Sequence, residues 1–99
     1  MIDLGLIEGF DWDEGNSRKS ADKHDVSQAE AEQIFLNELL LIETDVKHSS
    51  EEQRFHALGT TDEGRRLHAT FTLRGGGKLI RVISARDMNR KERGFYVQA

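Results

Sequence analysis

The sequence predicts an α+β fold: a mainly antiparallel sheet of about four to five strands, with two helices before it and a short helix after it. Three observations carry this expectation. Two capping-box spacings, Ser27 with Glu30 and Asn89 with Glu92, mark helix starts in the first third of the chain and near its end. Leu67, Ala69, Phe71 and Leu73 alternate with His68, Thr70, Thr72 and Arg74, which is the period of a half-buried strand. Gly75-Gly76-Gly77 then turns the chain into a second apolar run, Lys78 to Ser84.

Taken in order, Glu8 to Asp13 alternates polar residues with Phe10 and Trp12 and predicts a short strand with both aromatics on its buried face. Asp13 can cap a helix over residues 14–24. Only Ala21 there is apolar, so this helix is weakly amphipathic and must be held by its neighbours. The Ser27/Glu30 box opens a second helix, with Ala31, Ile34 and Phe35 as its buried stripe and its end near Asn37. Leu39 to Ile42 reads as a buried strand. Arg54 to Leu58 alternates as one arm of a hairpin that stops at Gly59, with turn chemistry through Gly64. The run Lys78 to Ser84 has apolar residues on both faces, as expected near a sheet centre, and Arg81 interrupts it. Asn89 and Glu92 then open a short basic helix through Arg90, Lys91 and Arg93 toward Tyr96.

A chain of 99 residues has room for one compact domain over 1–99, with 1–7 expected to be flexible. At 36% apolar and 32% charged it is polar, but its hydrophobic runs argue against disorder. The absence of cysteine excludes disulfides and thiolate metal ligands. The opening lacks a basic leader pattern, and no run approaches the roughly 18 residues of a membrane helix, so the expectation is a soluble cytoplasmic protein with no membrane contact. The formal net charge of −4 hides a division. Residues 1–64 carry 16 acidic side chains against 5 Lys/Arg, and residues 65–99 carry 9 Lys/Arg against 2 acidic ones. If the fold keeps this segregation, one part of the surface attracts a polyanion; otherwise the basic segment is a solvated helix.

An ordered set of segments carries a resemblance: Phe10-Asp11-Trp12-Asp13, Lys23-His24 with Val26-Ser27, Glu52-Gln53-Arg54 ahead of Gly59, Arg81 to Arg86, and Glu92-Arg93 with Tyr96. The set resembles the BrnT family. It departs at Asp25, where the family commonly has Gly after Lys-His, and at Asn16 and Ser20, where Lys and Asn are expected. These departures bear on any functional role for the first helix. The resemblance implies a RelE-like fold and a type II toxin-antitoxin endoribonuclease that halts translation by cutting RNA. It also implies neutralisation by a BrnA-type antitoxin, with operator DNA reached through that antitoxin. The alternative is a non-catalytic toxin-fold module that binds its antitoxin and helps repress the operon.

Metal-independent RNA cleavage needs a base for the 2′-hydroxyl, cations for the charge building on phosphorus, and an acid for the leaving 5′-oxygen. No H-E-x-x-H, Cys set, compact acidic cluster or phosphate-binding loop occurs, so no metal and no cofactor are expected. Arg54, Arg81 and Arg86 are the phosphate-clamp candidates, because a guanidinium fork matches two phosphate oxygens. Arg81 inside an apolar strand is the most informative; its structural reading is an ion pair with a carboxylate such as Glu52. His24 is the first choice for acid or base, with a helix-end cation as the equal alternative. Glu52 is a base or, more readily, a partner that orients Arg54. Lys23, Ser84, Arg90, Lys91 and Tyr96 complete the expected RNA-binding set; Tyr96 can equally pack a helix onto the sheet. His48, His56 and His68 read as weaker, with a surface pair the ordinary account of the last two.

Overall fold

The computed structural model describes residues 3–99. The expected flexibility of 1–7 therefore lies partly outside the described residues; within them, Leu4–Leu6 form one 3-10 turn capped by Asp3. The elements that follow are β1 (Gly9–Phe10), α1 (Glu14–His24), α2 (Gln28–Leu36), β2 (Leu41–Asp45), β3 (Arg54–Thr60), β4 (Arg66–Arg74), β5 (Leu79–Asp87) and α3 (Arg90–Val97). Three α-helices and a five-stranded sheet of order β1-β5-β4-β3-β2 make the expected α+β fold. All pairings are antiparallel except β1 with β5.

Each helix starts where its cap predicts. Asp13, Ser27 and Asn89 each accept from the N3 backbone N–H, and Asn16, Glu30 and Glu92 reach back to the cap N–H to complete the box. α1 ends on Asp25, which takes the left-handed conformation (φ 55°) that a glycine adopts without strain. α2 buries Ala31 and Ile34 against the sheet, and Phe35 joins Phe10, Phe71 and Phe55 in a run of ring contacts 5.0 to 5.8 Å between centroids. Leu67, Ala69, Phe71, Ile80, Val82 and Ala85 supply the sheet side of this core.

Three strand expectations need correction. The first strand is only Gly9–Phe10; the Asp11 N–H still donates to the Ile80 carbonyl at 2.8 Å, and the chain then leaves β5 so that Asp13 can cap α1. β2 begins at Leu41 and runs to Asp45, later than the apolar run Leu39 to Ile42, and as an edge strand it leaves Glu43 and Thr44 exposed. β3 continues through Gly59 instead of stopping there. A Cβ at Gly59 would lie 2.7 Å from the Ile34 Cβ, so this glycine marks the close approach of α2 to the strand, not a turn. β5 also carries a bulge the sequence does not show: the register passes from Phe71 opposite Val82 to Thr70 opposite Ser84, and Ile83 is the extra residue. Burial consequently shifts phase from Ile80 and Val82 to Ala85.

α1 is held by polar contacts, as its poor apolar content requires. Beyond Ile80, β1 no longer covers the edge of β5, and two buried side chains of α1 take its place. Asn16 Nδ2 donates to the carbonyls of Val82 and Asp11, each at 3.0 Å, and Ser20 Oγ accepts from the Ala85 N–H at 2.7 Å. Asn16 and Ser20 thus finish the sheet edge.

Candidate functional site

Strand register lays out the sheet face turned away from α2 in cross-strand rows. Asp45, Arg54, Thr72 and Arg81 form one row; Glu43, His56, Thr70 and Ser84 the next; Leu41, Leu58, His68 and Arg86 the third. The three arginines singled out in the sequence therefore share one face. Two of them are already occupied. Arg81 pairs with Asp13 at 3.0 Å and Asp11 at 3.6 Å, with its side chain 18% exposed. Arg86 forks onto Glu92 at 2.7 and 2.9 Å. Burial would raise the Glu92 carboxyl, but the Arg86 fork, the Asn89 N–H and His68 outweigh it and hold Glu92 at about 2.

Arg54 is different. Its backbone bonds to the Ser49 hydroxyl, while its guanidinium makes no ion pair among the described residues. It lines a cavity of about 370 Å³ with His48, Ser50, Glu51, Glu52 and Arg74. Glu52 orients Arg74, not Arg54, through two bonds of 3.1 and 3.2 Å. That fork raises the Arg74 guanidinium further above its ordinary value and keeps it charged.

Beside the cavity, the buried carboxylate of Asp45 serves two histidines. His48 Nδ1 lies 3.0 Å from Oδ2 and His56 Nε2 lies 3.0 Å from the same oxygen. Burial pushes the Asp45 carboxyl up, but hydrogen bonds from His48 and the charges of both imidazoles bring it below its usual value. The other ring nitrogen of His56 meets the Thr70 hydroxyl at 3.2 Å. His68 lies tilted against His56, with ring centroids 4.9 Å apart, and is largely covered. Burial, then the Arg86 charge, lowers its pKa, so it stays neutral.

The remaining expected residues are dispersed. His24 closes α1, where its carbonyl accepts from Arg65, and its charge acts on Asp87 on the core side of β5, away from the arginine face. Lys23 is exposed on the same turn, and Arg90 and Lys91 are exposed at the start of α3. Ser84 is half-buried at the bulge. Tyr96 is buried, and its hydroxyl donates to the Leu39 carbonyl and meets Thr60, so it fastens α3 to the sheet. Among the described residues no group of three or more His, Cys, Asp or Glu side chains is placed to hold a metal ion, and no helix is long and apolar enough to cross a membrane.

A family model described as the ribonuclease toxin BrnT of type II toxin-antitoxin systems matches residues 12–92. The chain belongs to the BrnT family. Comparison with curated proteins finds no significant match to any single one. As a BrnT toxin the chain has an antitoxin as its partner and RNA cleavage as the activity of its family. The matched span of this BrnT chain includes both halves of the Arg54 cavity, the loop at His48 and the end of β4 at Arg74. Sequence reasoning ranked His48 below His24 and did not place Arg74 beside Arg54. The only signals were a histidine three residues after Asp45 at a strand end, and an arginine before the glycine turn.

Proposed function

We propose that this BrnT chain is a metal-independent endoribonuclease that stops translation by cutting RNA, and that a BrnA-type antitoxin neutralises it and carries the complex to operator DNA. One observation carries this reading: the cavity on the open sheet face holds an Arg54 guanidinium without a carboxylate partner, next to a second guanidinium, Arg74, and an imidazole, His48. Arg54 can present its fork to two phosphate oxygens, and Arg74 adds positive charge beside it. Fixed guanidinium donors of this kind stabilise the charge that builds on a phosphorane-like transition state. Arg81 and Arg86 act at one remove, since Asp11, Asp13 and Glu92 already take their donors.

Expression of the chain alone should arrest bacterial growth, and co-expression of the partner antitoxin should release it. The purified chain should cut RNA in the presence of EDTA and leave 2′,3′-cyclic phosphate ends. Normal growth with abundant soluble protein, together with intact RNA, would instead identify a non-catalytic module that only binds its antitoxin.

A further inference from the structure

The chain has four histidines, and the geometry separates them. His56 uses both ring nitrogens, on Asp45 and Thr70. His68 has its side chain 12% exposed, with Nε2 3.9 Å from Glu92 beneath α3. His24 lies at the end of α1, on the other side of β5. His48 alone is both oriented and open. Its Nδ1 contacts the Asp45 oxygens at 3.0 and 3.2 Å, its backbone N–H donates to Oδ1 at 3.3 Å, and its side chain is 60% exposed.

We propose that His48 is the general base of RNA cleavage in the Arg54 cavity and that Asp45 is the positioning residue that holds its ring. The inference rests on the ribonuclease reading above. An ionised carboxylate only accepts, so the proton of a neutral His48 sits on Nδ1 and the lone pair on Nε2 is free. Nε2 has no hydrogen-bond partner among the described residues. Asp45 is itself fixed: it is 8% exposed, His56 bonds its Oδ2, and the Ser49 hydroxyl donates to its carbonyl. This is the arrangement in which a carboxylate sets the tautomer and direction of a histidine base. The rival carboxylate, Glu52, has both oxygens engaged by the Arg74 guanidinium, at 3.1 and 3.2 Å. The charged groups around His48 are Asp45 on β2, Arg54 and His56 on β3, Glu51 and Glu52 in the loop, and Arg74 on β4.

In the step itself, Nε2 takes the proton of a 2′-hydroxyl and the 2′-oxygen bonds to the adjacent phosphorus. The bond from phosphorus to the 5′-oxygen breaks, and that oxygen takes a proton from water. The proton on His48 returns to solvent. Arg54 donates to the non-bridging oxygens as their charge rises, and the products are a 2′,3′-cyclic phosphate and a 5′-hydroxyl.

The test uses the full chain free of antitoxin, with a single-stranded RNA oligonucleotide and, in parallel, a cell-free translation mixture. His48→Ala should lower cleavage about a hundredfold or more, since general-base catalysis contributes roughly that factor upward. RNA binding and melting temperature should not change, and added imidazole should restore part of the rate. Asp45→Asn should lower kcat per folded molecule with KM unchanged, and imidazole should not restore it because the base is still present. A His48→Ala variant that cuts RNA at the wild-type rate would overturn the dyad and leave the ribonuclease reading intact. A wild-type chain that cuts no RNA in either setting would overturn that reading and the dyad together.

Discussion

Arg81 shows how one residue can be legible as important while its role stays hidden. A guanidinium in an apolar strand must meet an anion, and that much follows from the sequence. Which anion does not follow, because Asp11 and Asp13 reach it only after β1 pairs in parallel with β5. With both carboxylates in place, Arg81→Lys should lower the melting temperature and leave cleavage per folded molecule close to wild type. Measuring both on one preparation checks this; a stable variant that has lost cleavage would return Arg81 to the reacting phosphate. His48 is the opposite case. Locally only its place three residues after Asp45 marks it, since its significance depends on a carboxylate buried by the β2–β3 pairing and on the arginines that β3 and β4 bring alongside.

At the level of elements, the helix starts were readable because capping is short-range chemistry: the two capping boxes, Ser27/Glu30 and Asn89/Glu92, stand where their spacing puts them, and α1 follows Asp13, whose box with Asn16 the sequence reading did not single out. Strand ends were harder. Gly59 carries the same symbol as a turn glycine, and only the position of Ile34 shows that it is there for close packing. The β5 bulge is equally invisible in an apolar run that reads alike in either phase. α1 is the clearest lesson: its few apolar residues correctly predicted dependence on neighbours, but the neighbour is a strand edge reached through Asn16 and Ser20. Ser20→Ala should therefore cost about 1–3 kcal/mol, because it leaves the buried Ala85 N–H without an acceptor. In a domain of this size that is a drop of roughly 4–8 °C per kcal/mol, measurable by thermal unfolding. An unchanged melting temperature would show that another acceptor replaces the hydroxyl.

Over the whole molecule, the division of charge along the chain is partly bridged by the fold. The acidic early segment and the basic late segment are joined by ion pairs: Glu8 with Lys78, Asp11 and Asp13 with Arg81, Glu30 with Arg65, and Glu52 with Arg74. Four of the nine Lys/Arg of residues 65–99 are tied up in this way, and Arg54, from the acidic half, is left without an ion pair among the described residues at the cavity. This wiring predicts acid sensitivity. Glu92 is held at about 2 against an ordinary 4.5, so its contribution is present above about 4.5 and is lost as the pH falls toward 2. Asp13, Glu30, Asp45 and Asp87 are lowered in the same direction and add to the loss. Melting temperature should thus decline across that window, and Glu92→Gln should start lower and decline less steeply; equal slopes would remove Glu92 from the account. The sheet also ends unevenly. On the β5 side, hydrogen-bonding capacity beyond Ile80 is closed by Asn16 and Ser20 and not by a strand. A chain whose first helix has come loose would expose the Val82 carbonyl and the Ala85 N–H in an apolar segment that can recruit the corresponding segment of another molecule. Insolubility, more than loss of the toxin's activity, should then be the first symptom of damage to α1.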